Sequence, residues 1–114
     1  IRDGLKKIID TNANFSFSVT SFPFPIQRAI KLTKDQKSQM FFPENLNKRS
    51  QDLEDAFHDA GQFYWGKPSA WLEGKSMFED NSIPIVIPRY KVQDIDSEED
   101  WQRAELMFKA IKSN

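Results

Sequence analysis

The sequence has no cysteine, only one histidine and few glycines. Without thiols, a disulfide framework and thiolate metal sites are excluded, and the composition fits a cytoplasmic protein. A cluster of histidine metal ligands is excluded because His58 has no second histidine to join it. None of the four glycines is spaced as in a P-loop or a dinucleotide-binding fingerprint. If the chain belongs to a nucleotide enzyme, its phosphate loop is therefore expected upstream of Ile1.

The chain also lacks an excess of charge of either sign, because it contains 16 Lys and Arg and 17 Asp and Glu, with a formal net charge of −1. This balance gives no electrostatic reason to expect nucleic acid or an anionic membrane as a partner. No segment approaches the ~20 consecutive apolar residues of a membrane span. The 114 residues suffice for one domain or for part of a larger one. Ile1, Leu5, Ile8 and Ile9 form an apolar helical stripe from the first position, so we expect the chain to begin inside a domain.

Alternating helix and strand patterns indicate an α/β fold. After the opening helix, residues 15–20 (FSFSVT) alternate apolar and hydroxyl side chains, which is typical of a strand. Residues 83–88 (IPIVIP) form a short apolar run of the kind that lies buried in a parallel sheet. A last helix begins at Glu98, where Ser97 and Asp100 have the spacing of a capping box.

The segment between these elements departs from the α/β pattern. Pro23 and Pro25 lack backbone donors and predict an extended edge or loop. Residues 26–32 then predict a strand, and the polar tract KDQKSQ predicts a turn that returns the chain to a second strand ending at Pro43. Beyond it we expect a short helix around residues 51–57, an aromatic strand at QFYWG and another short helix from Ser69.

Asp94 and Asp96 stand two residues apart just before the last helix. On an extended segment both carboxylates would point to one side while Ile95 faces the core. Such a pair suits Mg²⁺, which takes oxygen ligands and is often shared between carboxylates and a substrate phosphate. The alternative is solvated negative charge that the helix dipole favours. Both interpretations stay open at this point, and the spacing alone favours the second.

Other polar residues also allow two interpretations. The guanidinium of Arg49 could bind a carboxylate or a phosphate through two hydrogen bonds, or it could form a surface ion pair. His58, beside Asp59, could act as a base or be a structural histidine. Gln62 and Tyr64 share one strand face and offer an amide and a phenol to a polyhydroxy ligand, unless Tyr64 is buried in the core.

Three long segments carry a resemblance to a known family: FSVTSFPFPIQRAIKL, KRSQDLEDAFHDAGQFYWG and VQDIDSEEDWQRAE. In this order they resemble the carboxyl-terminal half of the cytidylyltransferases that activate nine-carbon acidic sugars. The pseudaminic acid enzymes look most similar, with the CMP-sialic acid synthetases as relatives. The resemblance implies that residues 1–114 are part of one α/β domain with a three-layer, nucleotide-diphosphosugar-transferase-like (Rossmann-like) sheet. It also implies an arm at about residues 23–49 that protrudes from the sheet and forms contacts within a homodimer.

The same resemblance implies a reaction and a set of site residues. CMP would pass from CTP to a nonulosonic sugar acid, most closely pseudaminic acid, with release of pyrophosphate. The product would serve surface glycan synthesis or flagellin glycosylation. Mg²⁺ is the implied cofactor, and Asp94 and Asp96 match the acidic pair that holds it. The segment that handles the sugar and shapes the dimer contains Arg49, Gln51, Gln62 and Tyr64.

Some positions depart from the family pattern. Sialic acid enzymes look like Asn-Gly where this chain has Ala60 and Gly61, so Asp59 or Gln62 would replace the missing amide. Phe78 matches one of two aromatic residues near the sugar pocket of those enzymes, and Met77 replaces the other. The amino-terminal CTP-binding half is absent, so we expect these 114 residues alone to be inactive. The alternatives are a CMP-sialic or CMP-legionaminic acid synthetase, or a dimerisation fragment without catalysis.

Overall fold

The computed structural model describes residues 1–113 and divides into two units. The first unit comprises Ile1–Thr20 and Asp59–Asn114, and the second comprises Ser21–His58. The predicted arm at residues 23–49 lies within the second unit. Among residues 1–113 no helix is both long and apolar enough to cross a membrane.

Residues 1–113 contain three helices and five strands. They are α1 (Arg2–Thr11), β1 (Phe15–Ser21), β2 (Ile30–Leu32), β3 (Ser38–Met40), β4 (Phe57–Gly66), α2 (Pro68–Leu72), β5 (Ile85–Val86) and α3 (Glu98–Lys112). Short 3-10 turns lie at Ile26–Arg28, Pro43–Asn45, Ser50–Asp52 and Arg89–Lys91. The predicted helices at both ends and the one after Pro68 are confirmed, as is the α/β class.

A three-stranded sheet with β1 in the centre organises the first unit. Its strand order is β4-β1-β5, and β5 runs parallel to β1 with Ser18 opposite Ile85 and Val19 opposite Val86. The parallel pairing predicted from the apolar run is therefore confirmed. The expected burial of that run is wrong, because β5 forms the edge of the described sheet and Val86 is 59% exposed.

The central strand β1 is buried on both faces. Phe15, Phe17 and Val19 form the apolar core, while the intervening residues Ser16, Ser18 and Thr20 are buried as well. Two of the three hydroxyls have partners: Ser18 Oγ accepts a hydrogen bond from the Gln62 backbone N–H (3.0 Å), and Thr20 Oγ1 donates to the Ile87 carbonyl (2.7 Å). Ser18 and Thr20, two of the polar positions that predicted a strand, therefore hold β1 to its neighbours instead of facing water.

Gly4 brings α1 close to the aromatic strand β4. A Cβ atom at this position would lie 2.7 Å from Phe63 Cε2 and 2.8 Å from Trp65 Cδ1. Trp65 Nε1 also donates a hydrogen bond to the Ile1 carbonyl (2.8 Å). Gly4 is the buried residue of α1, whereas Ile1 and Ile9 of the predicted apolar stripe are exposed. The contact of α1 with the sheet therefore depends on the absence of a side chain.

The second unit contains the predicted hairpin, with shorter strands than expected. β2 and β3 pair antiparallel, with Ile30 opposite Met40 and Leu32 opposite Ser38. Their turn contains Gln36 in the left-handed region (φ 62°). The strand predicted at residues 26–32 is wrong over its first half, which is a 3-10 turn from Ile26 to Arg28.

The short helix predicted around residues 51–57 is also wrong. Only Ser50–Asp52 form a 3-10 turn, and β4 begins at Phe57. The Phe22 backbone N–H donates to the Ala56 carbonyl (3.1 Å), which holds the chain before β4 in an extended path. Pairing between distant segments thus overrides a weak local helix preference.

The capping box predicted before α3 is confirmed. Ser97 Oγ accepts from the Asp100 backbone N–H (3.2 Å), and Asp100 Oδ2 accepts from the backbone N–H groups of Ser97 (3.1 Å) and Asp96 (3.0 Å). The hydrogen bond from Asp96, followed by those from Ser97, lowers the pKa of the Asp100 carboxyl. Asp100 therefore fixes both the start of α3 and the segment before it.

Replacing Gly4 by alanine tests the close approach of α1 to β4. We expect Gly4→Ala to lower the free energy of unfolding of the complete protein by about 1 kcal/mol. Overpacking destabilises a protein by about 1–3 kcal/mol, and the better helix propensity of alanine offsets only ~0.5–1 kcal/mol of this loss. Urea denaturation measures the change, with Lys6→Ala on the same helix as control. Stabilisation by Gly4→Ala would contradict the packing described.

Replacing Asp100 by asparagine tests the charge in the capping box. Because the folded state lowers the Asp100 pKa, its carboxylate stabilises the fold above the unfolded pKa of ~3.9, and this contribution is lost as the pH falls through the folded value. We expect Asp100→Asn to be less stable than the parent at pH 6, with the difference shrinking below about pH 4. Thermal unfolding across this range measures it, and a difference independent of pH would exclude the charge as its cause.

Candidate functional site

Two exposed aromatic rings rest on one buried ring in the first unit. Tyr64 of β4 stacks on Phe17 of β1 with ring centroids 6.4 Å apart and an interplanar angle of 22°. Phe78, between α2 and β5, meets the same ring edge-on at 5.3 Å and 85°. Phe17 is 5% exposed, whereas Tyr64 is 44% and Phe78 is 61% exposed. The alternative that Tyr64 is buried in the core is therefore wrong, and the structure places Tyr64 and Phe78 against the same buried ring.

Tyr64 is also bound to Asp59, five residues earlier on β4. Its hydroxyl donates to Asp59 Oδ2 (2.6 Å), and the Gly61 backbone N–H donates to Asp59 Oδ1 (2.8 Å). A regular strand rises ~3.3 Å per residue and would separate positions five apart by about 16 Å, so this contact requires the strand to bend. Gly61, with φ 68°, lies in the left-handed region and supplies that bend.

The phenol of Tyr64 is held in its neutral form. The hydrogen bond to Asp59 is the main cause that raises the pKa of Tyr64, followed by partial burial and by the negative charges of Asp59 and Asp94. The hydrogen of the neutral phenol is donated to Asp59, so the Tyr64 oxygen can accept a hydrogen bond from a ligand. Asp59 accepts hydrogen bonds on both of its carboxylate oxygens. Such a pair can orient a polyhydroxy ligand.

Gln62 links this part of β4 to the segment that leads to the aspartate pair. Its side-chain Nε2 donates to the Lys91 carbonyl (2.9 Å), at the end of the Arg89–Lys91 turn. Its backbone N–H is held by Ser18 of the central strand. Gln62 therefore has a defined orientation, and its side-chain oxygen can accept a hydrogen bond from a ligand.

Asp94 and Asp96 lie in an irregular exposed segment between that turn and α3. The expectation that Ile95 faces the core is wrong: the segment does not belong to a strand, and Ile95 is 46% exposed. The backbone N–H of Asp96 is held by Asp100, as described above. The negative charge of Asp94 contributes to the raised pKa of Tyr64, so Asp94 lies near enough to Tyr64 to interact with it electrostatically.

The donor set of Asp94 and Asp96 fits Mg²⁺ better than a metal enclosed by protein ligands. Within residues 1–113 no three or more His, Cys, Asp or Glu side chains are grouped to hold a metal ion. Two exposed carboxylates leave most positions of an octahedral ion to water and substrate oxygens, which is how Mg²⁺ commonly binds beside a phosphate. The metal assignment stays a prediction.

Arg49 and Gln51 belong to the second unit, unlike the other predicted site residues. Arg49 Nε donates to Asp52 Oδ2 (2.8 Å) and Nη2 to Asp52 Oδ1 (3.4 Å), with both side chains exposed. This is the surface ion pair that was one of two interpretations of Arg49. Gln51 is exposed in the Ser50–Asp52 turn. His58 packs edge-on against Phe22 at 4.9 Å, which favours its structural interpretation.

Sequence reasoning did not identify Phe17 or Lys91 as residues that shape the site. Phe17 was an apolar position in a strand pattern, and its contact with Phe78 joins positions 61 residues apart. Lys91 contributes a backbone carbonyl, which any residue type supplies. Only the tertiary structure could reveal either role.

Known proteins are similar to this chain over nearly its whole length. No family model matches the chain. It is 39% identical over 109 residues to the pseudaminic acid cytidylyltransferases of two strains of Campylobacter jejuni subsp. jejuni, which covers 96% of this chain and 47% of each relative. The chain thus spans about half the length of these curated relatives.

A third relative comes from Helicobacter pylori and is named pseudaminic acid cytidylyltransferase and UDP-2,4-diacetamido-2,4,6-trideoxy-beta-L-altropyranose hydrolase. It is 36% identical over 87 residues, covering 76% of this chain and 17% of that protein. The three names agree with the family resemblance carried by the segments quoted above.

An ionisation measurement tests the Asp59–Tyr64 pair. We expect Asp59→Asn to lower the pKa of Tyr64 toward its ordinary value of 10.0, because the hydrogen bond and the nearby charge that stabilise the neutral phenol are both changed. NMR of ¹³Cζ-labelled tyrosine follows the titration, and Tyr64→Phe assigns the signal. Asp55→Asn serves as the control. An unchanged Tyr64 pKa in Asp59→Asn would show that the pair does not form.

Proposed function

Because the chain is homologous to pseudaminic acid cytidylyltransferases over nearly its whole length, we propose that the complete protein transfers CMP from CTP to pseudaminic acid. The observation that carries the proposal is the 39% identity over 96% of the chain. The reaction is a displacement at phosphorus. The anomeric hydroxyl oxygen of the sugar acid bonds to the α-phosphorus of CTP, the bond from that phosphorus to the β-phosphate oxygen breaks, and pyrophosphate and the hydroxyl proton are released.

In this proposal Asp94 and Asp96 hold Mg²⁺. When bound, the ion neutralises charge that develops on the phosphate oxygens. The support from the structure is the pair of exposed carboxylates, one of which lies within electrostatic range of Tyr64. The backbone of Asp96 is fixed by Asp100, so the pair is attached to the start of α3.

The acidic sugar is assigned to the surface formed by Asp59, Gln62, Tyr64 and Phe78. The fixed carboxylate of Asp59 and the neutral phenol of Tyr64 orient sugar hydroxyl and amide groups. Gln62 offers its side-chain oxygen as an acceptor. Phe78 provides an exposed ring beside them. These groups are arranged on a strand and on a buried ring, which favours a defined substrate orientation.

Arg49 and Gln51, which belong to the second unit, are proposed by themselves as further sugar-binding residues. The guanidinium of Arg49 already holds the carboxylate of Asp52 through two nitrogens. An exposed ion pair of this kind is worth about 0–1 kcal/mol, so the carboxylate of a sugar acid can replace Asp52 at low cost. Gln51 adds a side-chain amide in the same exposed turn.

The arm at residues 23–49 is proposed to form a homodimer. Its hairpin exposes the large apolar side chains of Ile30, Leu32 and Phe41. A two-stranded hairpin is only marginally stable by itself, and it becomes more stable when a second surface covers apolar side chains of this size. A cytoplasmic location is proposed with this function, because CTP is the donor. Neither nucleic acid nor membrane is a proposed partner.

Pyrophosphate release tests the activity and the acceptor together. We expect the complete protein to release pyrophosphate from CTP and Mg²⁺ with pseudaminic acid, and to use sialic and legionaminic acids at least about 100-fold less well. A site that hydrogen-bonds particular substituents discriminates strongly against acceptors that leave its polar groups unpaired. Equal use of all three acids would refute the assigned acceptor, and no release with any of them would refute the activity.

Substitution of the aspartate pair tests the metal assignment in the same assay. We expect Asp94→Asn and Asp96→Asn each to lower kcat/KM about 100-fold or more and to raise the Mg²⁺ concentration needed for half-maximal rate. Glu99→Gln, an exposed acid in the first turn of α3, is the matched control and should keep the parental rate. Full activity in both aspartate variants would rule out the metal role.

A further inference from the structure

A single buried side chain supports both exposed aromatic rings of the proposed sugar site. Phe17 is in the centre of β1, and its ring contacts Tyr64 by stacking and Phe78 edge-on. Both arrangements are favourable geometries for aromatic pairs. Because Phe17 is almost fully buried, it has no room to contact a ligand itself. Its effect on a ligand must act through the two rings.

The two rings depend on Phe17 in different ways. The hydroxyl of Tyr64 is fixed by Asp59 at one end, and Phe17 fixes the face of the ring. Phe78 lies in the irregular segment between α2 and β5, whose backbone is hydrogen-bonded to Asn14 and Phe15 beside β1. The ring contact with Phe17 fixes the orientation of the Phe78 side chain itself. Loss of the Phe17 ring would remove an aromatic contact from both exposed rings at once.

We propose that Phe17 is a positioning residue that holds Tyr64 and Phe78 as one aromatic surface for the apolar C–H and methyl groups of the acidic sugar. This inference rests on the proposed function and adds a specificity-determining residue to it. The polar edge of the same surface is Asp59 and Gln62, which receive the hydroxyl and amide groups. A surface with an aromatic face and a polar edge matches a sugar acid, because such a molecule has both kinds of group.

Phe15 provides a matched control in the same strand. It is fully buried two residues before Phe17, and its ring meets Trp71 edge-on at 5.0 Å and 75°. Phe15→Leu removes a core ring of the same size from the same face of β1 without removing the support of Tyr64 or Phe78. Comparison of the two leucine variants therefore separates a loss of stability from a loss of positioning.

Steady-state kinetics of the complete protein test the proposal. We expect Phe17→Leu to raise KM for pseudaminic acid about tenfold while KM for CTP changes less than about twofold. We expect Phe15→Leu to leave both KM values near those of the parent, although thermal unfolding shows that it is destabilised to a similar extent. Equal changes of the sugar KM in both variants, or no change in Phe17→Leu, would overturn the positioning role.

A spectroscopic measurement keeps this inference separate from the proposed activity. In ¹³C-labelled tyrosine spectra, the ring signals of Tyr64 should shift in Phe17→Leu and stay in place in Phe15→Leu, because Phe17 stacks on the Tyr64 ring whereas Phe15 packs against Trp71. Unchanged Tyr64 signals in Phe17→Leu would overturn the ring geometry whatever the enzyme does. If the parent protein converts no sugar acid, the proposed function fails, and the spectra still decide whether Phe17 positions Tyr64.

Discussion

The burial of β1 on both faces is the constraint on which the rest of the first unit depends. Polar groups on a strand covered on both sides need partners inside the protein, and the hydroxyls of Ser18 and Thr20 find them on the neighbouring segments. Ser18 holds β4 at Gln62, and Thr20 holds Ile87, the residue after β5. The same burial places Phe17 where it supports two exposed rings. Core packing and the candidate site are thus parts of one arrangement.

The second determinant of the site is the bend in β4 at Gly61. It brings the carboxylate of Asp59 to the hydroxyl of Tyr64, which a straight strand would keep far apart. The hydrogen bond fixes the carboxylate and raises the pKa of the Tyr64 phenol. Gly61 therefore has a direct physical role here, because its left-handed conformation is strained for other residues.

The acidic stretch before α3 divides between two tasks. Asp100 and Ser97 cap the helix and hold the backbone of Asp96 through hydrogen bonds. Asp94 and Asp96 are exposed, and the negative charge of Asp94 helps to raise the pKa of Tyr64. Solvated charge at a helix start and a pair of metal ligands are therefore not exclusive interpretations, since different residues of the same stretch can serve each one.

The sequence by itself determined the elements with strong local signals: the helices at both ends, the alternating strand β1, the hairpin and the capping box. It also carried the family resemblance, which the relatives at 36–39% identity confirm. Its weaker local signals failed at residues 26–28 and 51–57, where long-range pairing and 3-10 turns replace the expected strand and helix. Only the tertiary structure decided that Tyr64 is exposed, that Asp59 binds it and that Phe17 supports the site. These contacts join residues that are distant in sequence or separated by a strand bend, and periodicity contains no information about them.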